Sequence, residues 1–328
     1  MPEDATPPKP VLEPSARDFL STLGNGGLPW GPDPAAARNA FAELQENPVD
    51  DPETEDEWLT LAVGPVAPVR VRVVRPVGSR EERLPVILYL HGPGWGFGDA
   101  RTHDRLVRQL ALGADAAVVF PEYARPPEAR YPVALLQAYG VAEWITAEGS
   151  AAALDGTRLA VAGDGAGGNL AAALTLLARQ RGAVRPLCQV LLCPVTDAAQ
   201  DTPSYDEFAD GYVLGRDAMR RFWDLYTVDH AQRAEITASP LRATSGQLAG
   251  LPRALIVTAE ADVLRDGGEA YAAGLRAAGG SATCVRYHGA PHGFMVLDSL
   301  RTTDAARAAL IQTTDTLHMA LHASAPRG

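Results

Sequence analysis

With 328 residues, 46% of them apolar and 21% charged, the chain reads as an ordinary soluble globular protein, large enough for two average domains or one large α/β domain with an appendage. A formal net charge of -11 argues against nucleic acid as a partner, because phosphates must be met by Lys and Arg. The opening "MPEDATPPKP" lacks the apolar core of a signal peptide and no run reaches the length of a membrane span, so a cytoplasmic protein without a membrane partner is expected.

Taken in chain order, residues 1–14 read as a disordered, proline-rich tail. A cap arm follows over 15–57, with a helix beginning at "DPAAARNAFAEL", where Asp33 caps and Pro34 suits the first helical position. The acidic run "DDPETEDEW" from Asp50 reads as a solvated connector. A core is expected over 58–195 and 239–328. In it "LTLAV" and "VRVRVV" alternate like an antiparallel pair. From Leu84 the runs "VILYLHG", "AAVVFPEY", "RLAVAGDG", "CQVLLCPV", "ALIVTAE" and "TCVRYHG" are separated by helical segments. That rhythm predicts a largely parallel sheet with crossover helices.

Residues 196–238 interrupt the rhythm as a cap insertion carrying Tyr205, Phe208, Tyr212, Phe222, Trp223 and Tyr226. It is placed to roof the crevice at the carboxyl ends of the strands, where open α/β sheets bind ligands. Cys188 and Cys193 lie on one apolar strand and Cys284 on another; they form neither a disulfide framework nor a zinc spacing, and all three read as buried structural thiols.

The segment "GDGAGG" satisfies the dinucleotide pattern at Gly163, Gly165 and Gly168, after a strand and before a helix. A nucleotide fold also needs a carboxylate about 20 residues on for the ribose, and "RGAVRPLCQVLL" has none. The competing pattern is the nucleophile elbow, a strained strand-to-helix turn that lifts a side chain above the sheet. Its frame is complete here except that Gly165 stands where the serine belongs. Asp262 follows the strand "ALIVTAE" and His292 follows "TCVRYHG", in the order elbow, acid, histidine. Earlier, "LYLHGPGW" places His91, Gly92, Pro93, Gly94 and Trp95 where backbone N–H groups would form an oxyanion hole.

The segments "HGPGWGFGD", "YARPPE", "GDGAGGNLA", "DVLRD" and "HGF" together resemble the bacterial hormone-sensitive-lipase-like esterases of the α/β-hydrolase superfamily, from about Leu59 to the C-terminus. The resemblance implies an eight-stranded, mostly parallel sheet with helices on both faces, a helical cap built from the arm and the insertion, and short apolar esters as substrates. It assigns the acid to Asp262 rather than to Glu260 or Asp266, and the base to His292 rather than to His288. It puts oxyanion donors at Gly92, Gly94 and Ala166. His91 and Glu128 would brace that loop, and Trp95, Phe294, Tyr205 and Tyr212 would wall the substrate site.

Two departures set the functional expectation. Gly165 has no hydroxyl, so no acyl-enzyme can form there. Pro93 has no N–H to give an oxyanion. A laboratory exchange of serine for glycine would account for Gly165 but not for Pro93. The leading expectation is a non-hydrolytic enzyme, in which His292 and Asp262 shuttle a proton to drive cyclisation, elimination or isomerisation of an apolar carbonyl compound. A variant of this expectation keeps hydrolysis, with His292 activating water in the Gly165 space; the alternatives are a carboxylesterase inactivated at its nucleophile and a binding protein without turnover. No cofactor or metal is expected. Asp315, His318 and His322 share a helix face and read as exposed polar positions. A homodimer is an option that the sequence leaves open.

Overall fold

The computed structural model describes residues 9–23, 27–28, 30, 33–45, 53–64 and 68–323. Eight strands form one sheet in the order β1-β2-β4-β3-β5-β6-β7-β8. They are β1 (Thr54–Leu61), β2 (Val69–Pro76), β3 (Leu84–Leu90), β4 (Ala117–Glu122), β5 (Leu154–Asp164), β6 (Cys188–Leu192), β7 (Arg253–Ala261) and β8 (Ala282–Pro291). β2 pairs antiparallel with β1 and β4, and every pairing from β4 to β8 is parallel. β3 and β6 are buried at every position, as continuous apolar strands covered on both faces must be.

The helices are α1 (Pro14–Leu23), α2 (Pro34–Glu43), α3 (Asp104–Ala114), α4 (Val133–Glu148), α5 (Ala166–Arg181), α6 (Pro203–Glu207), α7 (Arg216–Tyr226), α8 (His230–Arg233), α9 (Ser245–Leu248), α10 (Arg265–Ala277) and α11 (Asp304–His322). α3 packs with α11, and α4 with α5, while α10 lies on β7 and β8. Asp33 accepts from the Ala35 N–H at 2.9 Å, so α2 starts with the cap and proline that its sequence predicts. No helix among the described residues is long and apolar enough to cross a membrane.

Three expectations need correction. The acidic run expected as a connector is, from Thr54, the edge strand β1, because Asp56 and Glu57 pair with Arg72 and Arg75 of β2 at 2.9 and 3.0 Å. Charges that alternate along an edge strand look like a solvated linker in sequence; residues 50–52 of the run lie outside the described residues. The tail expected over 1–14 is in part a built element. Its first eight residues lie outside those described, but Glu13 accepts from the Asp304 and Ala305 N–H groups at 2.8 and 2.9 Å and caps α11. Finally, Cys193 lies just past β6 with φ 45°, and Cys284 is only half-buried.

Candidate active site

The carboxyl ends of β3, β5, β7 and β8 deliver the four segments of the site. β5 ends at Asp164, α5 begins at Ala166, and Gly165 forms the turn with φ 50° and ψ -112°. Its N–H donates to the Leu192 carbonyl at 2.8 Å, and its own carbonyl accepts from Asn169 and Val195 at 3.1 and 3.0 Å. The strained turn is therefore held from both sides. Gly167, two residues on, lies against the Leu90 and His91 backbone, where any Cβ would collide. At Gly165 the opposite is true. A Cβ would meet only the His292 ring within 4 Å, Nε2 at 3.7 Å and Cε1 at 3.8 Å.

His292 faces that space because its other nitrogen is tied down. Nδ1 lies 2.7 Å from Asp262 Oδ2, and Asp262 Oδ1 accepts from the Leu264 N–H at 2.9 Å. With Nδ1–H donating to Asp262, neutral His292 presents a lone pair at Nε2. Burial opposes the imidazolium, but the Asp262 charge and hydrogen bond outweigh it, and Asp164 adds to them, so the His292 pKa is raised. Cys193 stands beside the pair, with Sγ, an Asp262 oxygen and a His292 nitrogen all within 4.8 Å. The spacing of these residues in sequence gives no hint of the group. Burial and then Asp262 push the Cys193 thiol far up, so it remains protonated.

The loop from His91 to Gly98 is braced at several points. The Tyr123 hydroxyl donates to the His91 carbonyl, and the two rings stack at 4.1 Å. Burial, followed by His103, pushes His91 down to about 3, so it is a neutral spacer. Trp95 Nε1 donates to Asn169 Oδ1 at 3.3 Å, and its ring stacks on Tyr226 at 4.2 Å. From α2, Arg38 donates to the Gly96 and Pro126 carbonyls, both at 2.8 Å, and grips Glu128 with two hydrogen bonds of 2.9 and 2.7 Å. Asp164 is a hub beneath the loop, accepting from Tyr89 OH at 2.8 Å and from the Gly92 N–H at 2.9 Å.

Between these segments and the cap lies a pocket that opens to solvent, with about 530 Å³ of empty space up to its mouth, of which about 30 Å³ admits the centre of a water-sized molecule. Gly165, His292, Ala166, Gly94, Pro93 and Asp164 form its floor, and the rest of its wall is mostly apolar. A smaller annex of about 10 Å³ touches Gly165, Cys193, His292 and Phe294.

The structure brings together Gly165, His292, Asp262, Gly94 and Ala166 of the residues singled out in the sequence. Gly92 departs from its expected role, because its N–H is committed to Asp164. Trp95, Tyr205 and Tyr212 are not among the cavity's lining residues. Trp95 is a strut behind the loop, Tyr205 is buried, and Tyr212 stands edge-on to Phe208 at 5.0 Å; Phe294 reaches only the annex. The wall is instead made by Leu28, Trp30 and Phe41 of the arm and by Leu214, Met219 and Phe222 of the insertion. The only sequence signal for the arm residues is their apolar character around a proline-rich stretch, which gives no direction in space. His288 pairs with Glu260 at 2.9 Å, and Asp266 accepts from the Ser204 N–H at 2.8 Å, so none of the three belongs to the His292 pair. His318 and His322 donate from α11 to the Ala114 carbonyl at the end of α3, at 3.2 and 3.1 Å.

Comparison with known proteins gives a consistent result. A family model described as an α/β hydrolase fold matches residues 87–296. The chain is 36% identical to carboxylesterase NlhH of Mycobacterium tuberculosis over 79% of this chain and 81% of that protein. It is 37% identical to carboxylic ester hydrolase LipN of the same organism over 90% of this chain and 80% of that protein. Among solved structures it is similar to a thermostable esterase from Pseudomonas putida, with TM-score 0.92 and 42% identity, covering 97% of this chain and all of that one (100%).

Proposed function

Because the chain belongs to the α/β-hydrolase family, we propose that it recognises neutral carboxylic esters and kindred carbonyl compounds in an esterase pocket without a covalent nucleophile, where His292 and Asp262 act on a reactant not bonded to the protein. The observation that carries this reading is the open space at Gly165 faced by His292 Nε2. Esterase relatives and the segments "GDGAGGNLA", "DVLRD" and "HGF" support the hormone-sensitive-lipase-like assignment and the ester class.

In this site Nε2 takes a proton from a water in the Gly165 space as its oxygen attacks the ester carbonyl. The Gly94 and Ala166 N–H groups face the charge that develops on the carbonyl oxygen. His292 then returns the proton to the departing alkoxide, so acid and alcohol leave and the protein is unchanged. Without a nucleophile, triad hydrolases retain only about 10³ to 10⁴ over the uncatalysed reaction. Ordinary esterase turnover is accordingly weak.

Pro93 favours a second reading. It removes an N–H from the loop that should bind a tetrahedral oxyanion, which handicaps hydrolysis more than it handicaps proton transfer. In that reading Nε2 takes the proton from the carbon beside the carbonyl, and elimination, isomerisation or cyclisation follows. A cytoplasmic setting with three free thiols fits either reading.

The test is hydrolysis of p-nitrophenyl acetate and butyrate by the chain itself, by Gly165→Ser and by Gly165→Ser with Pro93→Gly. Strong hydrolysis by either variant supports the ester pocket. If both fold and neither hydrolyses, the ester reading is wrong.

A further inference from the structure

One residue of the cavity wall carries a hydrogen-bond donor that the reaction does not use. Trp30, in the arm between α1 and α2, lines the cavity and is 7% exposed. Its Nε1 is buried without a hydrogen-bond partner. Other buried polar atoms among the described residues also lack partners, including Tyr139 OH, Tyr205 OH, Trp223 Nε1 and Tyr271 OH, but none of those residues lines the cavity. A buried donor left unpaired is destabilising, and most native donors are satisfied by protein, water or ligand. Trp30 is held in place all the same. Its carbonyl accepts from Arg221 Nη1 at 3.0 Å, and its ring packs on Phe41, Phe97 and Phe222 at 5.7, 5.2 and 5.2 Å.

The surroundings restrict what the indole N–H can meet. Phe222, edge-on to Trp30, is also the ring against which Gly94 packs, so one aromatic ring separates the indole from the oxyanion loop. Among the described residues no Lys or Arg lines the cavity, and Asp164 is part of its floor. The one basic group in that lining, His292, is already paired with Asp262, so an anionic acceptor would find no free counter-charge. A neutral oxygen is the acceptor that fits.

We infer that Trp30 is a specificity-determining residue, and that the preferred ligand is a neutral carboxylic ester or kindred carbonyl compound with a second, uncharged oxygen acceptor beyond the reacting carbonyl. The carbonyl faces Gly94 and Ala166 while the second oxygen accepts from Trp30 Nε1. This assignment rests on the ester pocket proposed above and adds the substrate's second recognition point.

Two matched pairs of esters test it, each pair differing by one CH₂ replaced with an ether oxygen: ethyl butyrate against ethyl methoxyacetate, and butyl acetate against 2-methoxyethyl acetate. With tryptophan ¹⁵N-labelled, the five indole groups give separate NMR signals, and Trp30→Phe identifies that of Trp30. In at least one pair the methoxy ester should bind roughly 3- to 10-fold more tightly than its hydrocarbon partner, the yield of one hydrogen bond, and should move the Trp30 indole proton downfield. Trp30→Phe, which keeps the ring, should erase the preference while still binding both members. If the esters bind but the Trp30 signal is unmoved and no pair is discriminated, the inference is wrong and the ester pocket stands. If none of the four binds, both are wrong.

Discussion

His292 Nε2 stands 3.7 Å from the point at which Gly165 would carry a Cβ, and among the described residues, chain neighbours aside, nothing but the His292 ring comes within 4 Å of that point. Space and backbone therefore make opposite demands on a side chain at 165. There is room for one, but φ 50° with ψ -112° is a conformation that only glycine adopts cheaply. Gly165→Ala should lower unfolding stability by about 1–3 kcal/mol despite the absence of a clash. Denaturant unfolding at constant pH measures this. An unchanged midpoint would mean that the turn relaxes freely and that strain has no part in this elbow.

The raised pKa of His292 gives stability and activity opposite pH dependences. A histidine whose folded pKa exceeds its unfolded value, about 6.5, stabilises the fold fully below that value and loses the contribution as pH climbs through the folded pKa. The difference in unfolding free energy between the protein and His292→Gln should be flat on the acid side and shrink on the alkaline side of 6.5. General-base activity needs the neutral ring, so turnover should rise over that same alkaline window. Asp262→Asn removes the charge that opposes desolvation. In an NMR titration its His292 should titrate below 6.5, and a value still above 6.5 would show that Asp262 is not what holds it up.

The elbow, the acid and the histidine were legible because each is a short local pattern at the end of an apolar run, and the parallel sheet places the ends of such runs side by side. Gly163, Asp262 and His292 needed no long-range information to be placed in one crevice. The cavity wall did need it. Trp95 follows the loop in sequence, but its left-handed backbone (φ 58°) and its bond to Asn169 hold it behind the loop. Trp30 and Phe41 face the site only because the arm is held down by Arg38 and Gln45, whose partners lie at least 50 residues away. The Gly92 N–H was misassigned for a related reason, since no periodicity reveals that Asp164 takes it.

Pro93 and Gly165 should be separable in their effects. Pro93→Gly alone should raise the weak water-mediated hydrolysis, because that route develops the same oxyanion, but the rate stays low for want of a nucleophile. In the Gly165→Ser background the same change returns an N–H to the loop, and an oxyanion-hole donor of this kind is worth about 10²- to 10³-fold in rate. The gain should fall on kcat, because the charge it meets exists only in the transition state. A gain confined to KM would place residue 93 at the ground-state ligand instead.

The cap arm should govern both catalytic loops together. Arg38 and Gln45 lie seven residues apart, at α2 and just beyond its end, with Phe41 of the cavity wall between them, so all three share one face. Arg38 holds the Gly96 carbonyl of the oxyanion loop. Gln45, 4% exposed, donates to the Thr102 and Val296 carbonyls at 2.9 Å each and accepts from the Asp298 N–H at 2.9 Å, beyond His292. Gln45→Ala leaves the Thr102 carbonyl and the Asp298 N–H unpaired, while Val296 keeps its bond from Arg105, and should destabilise by about 2–3 kcal/mol. Its more telling consequence is remote. If α2 is one rigid latch, hydrogen exchange should quicken at the Gly96 and Phe97 amides in Gln45→Ala, and at the Val296 and Leu297 amides in Arg38→Ala, although neither side chain touches the distant loop. Exchange that quickens only beside each substitution would mean that the two loops are fastened independently.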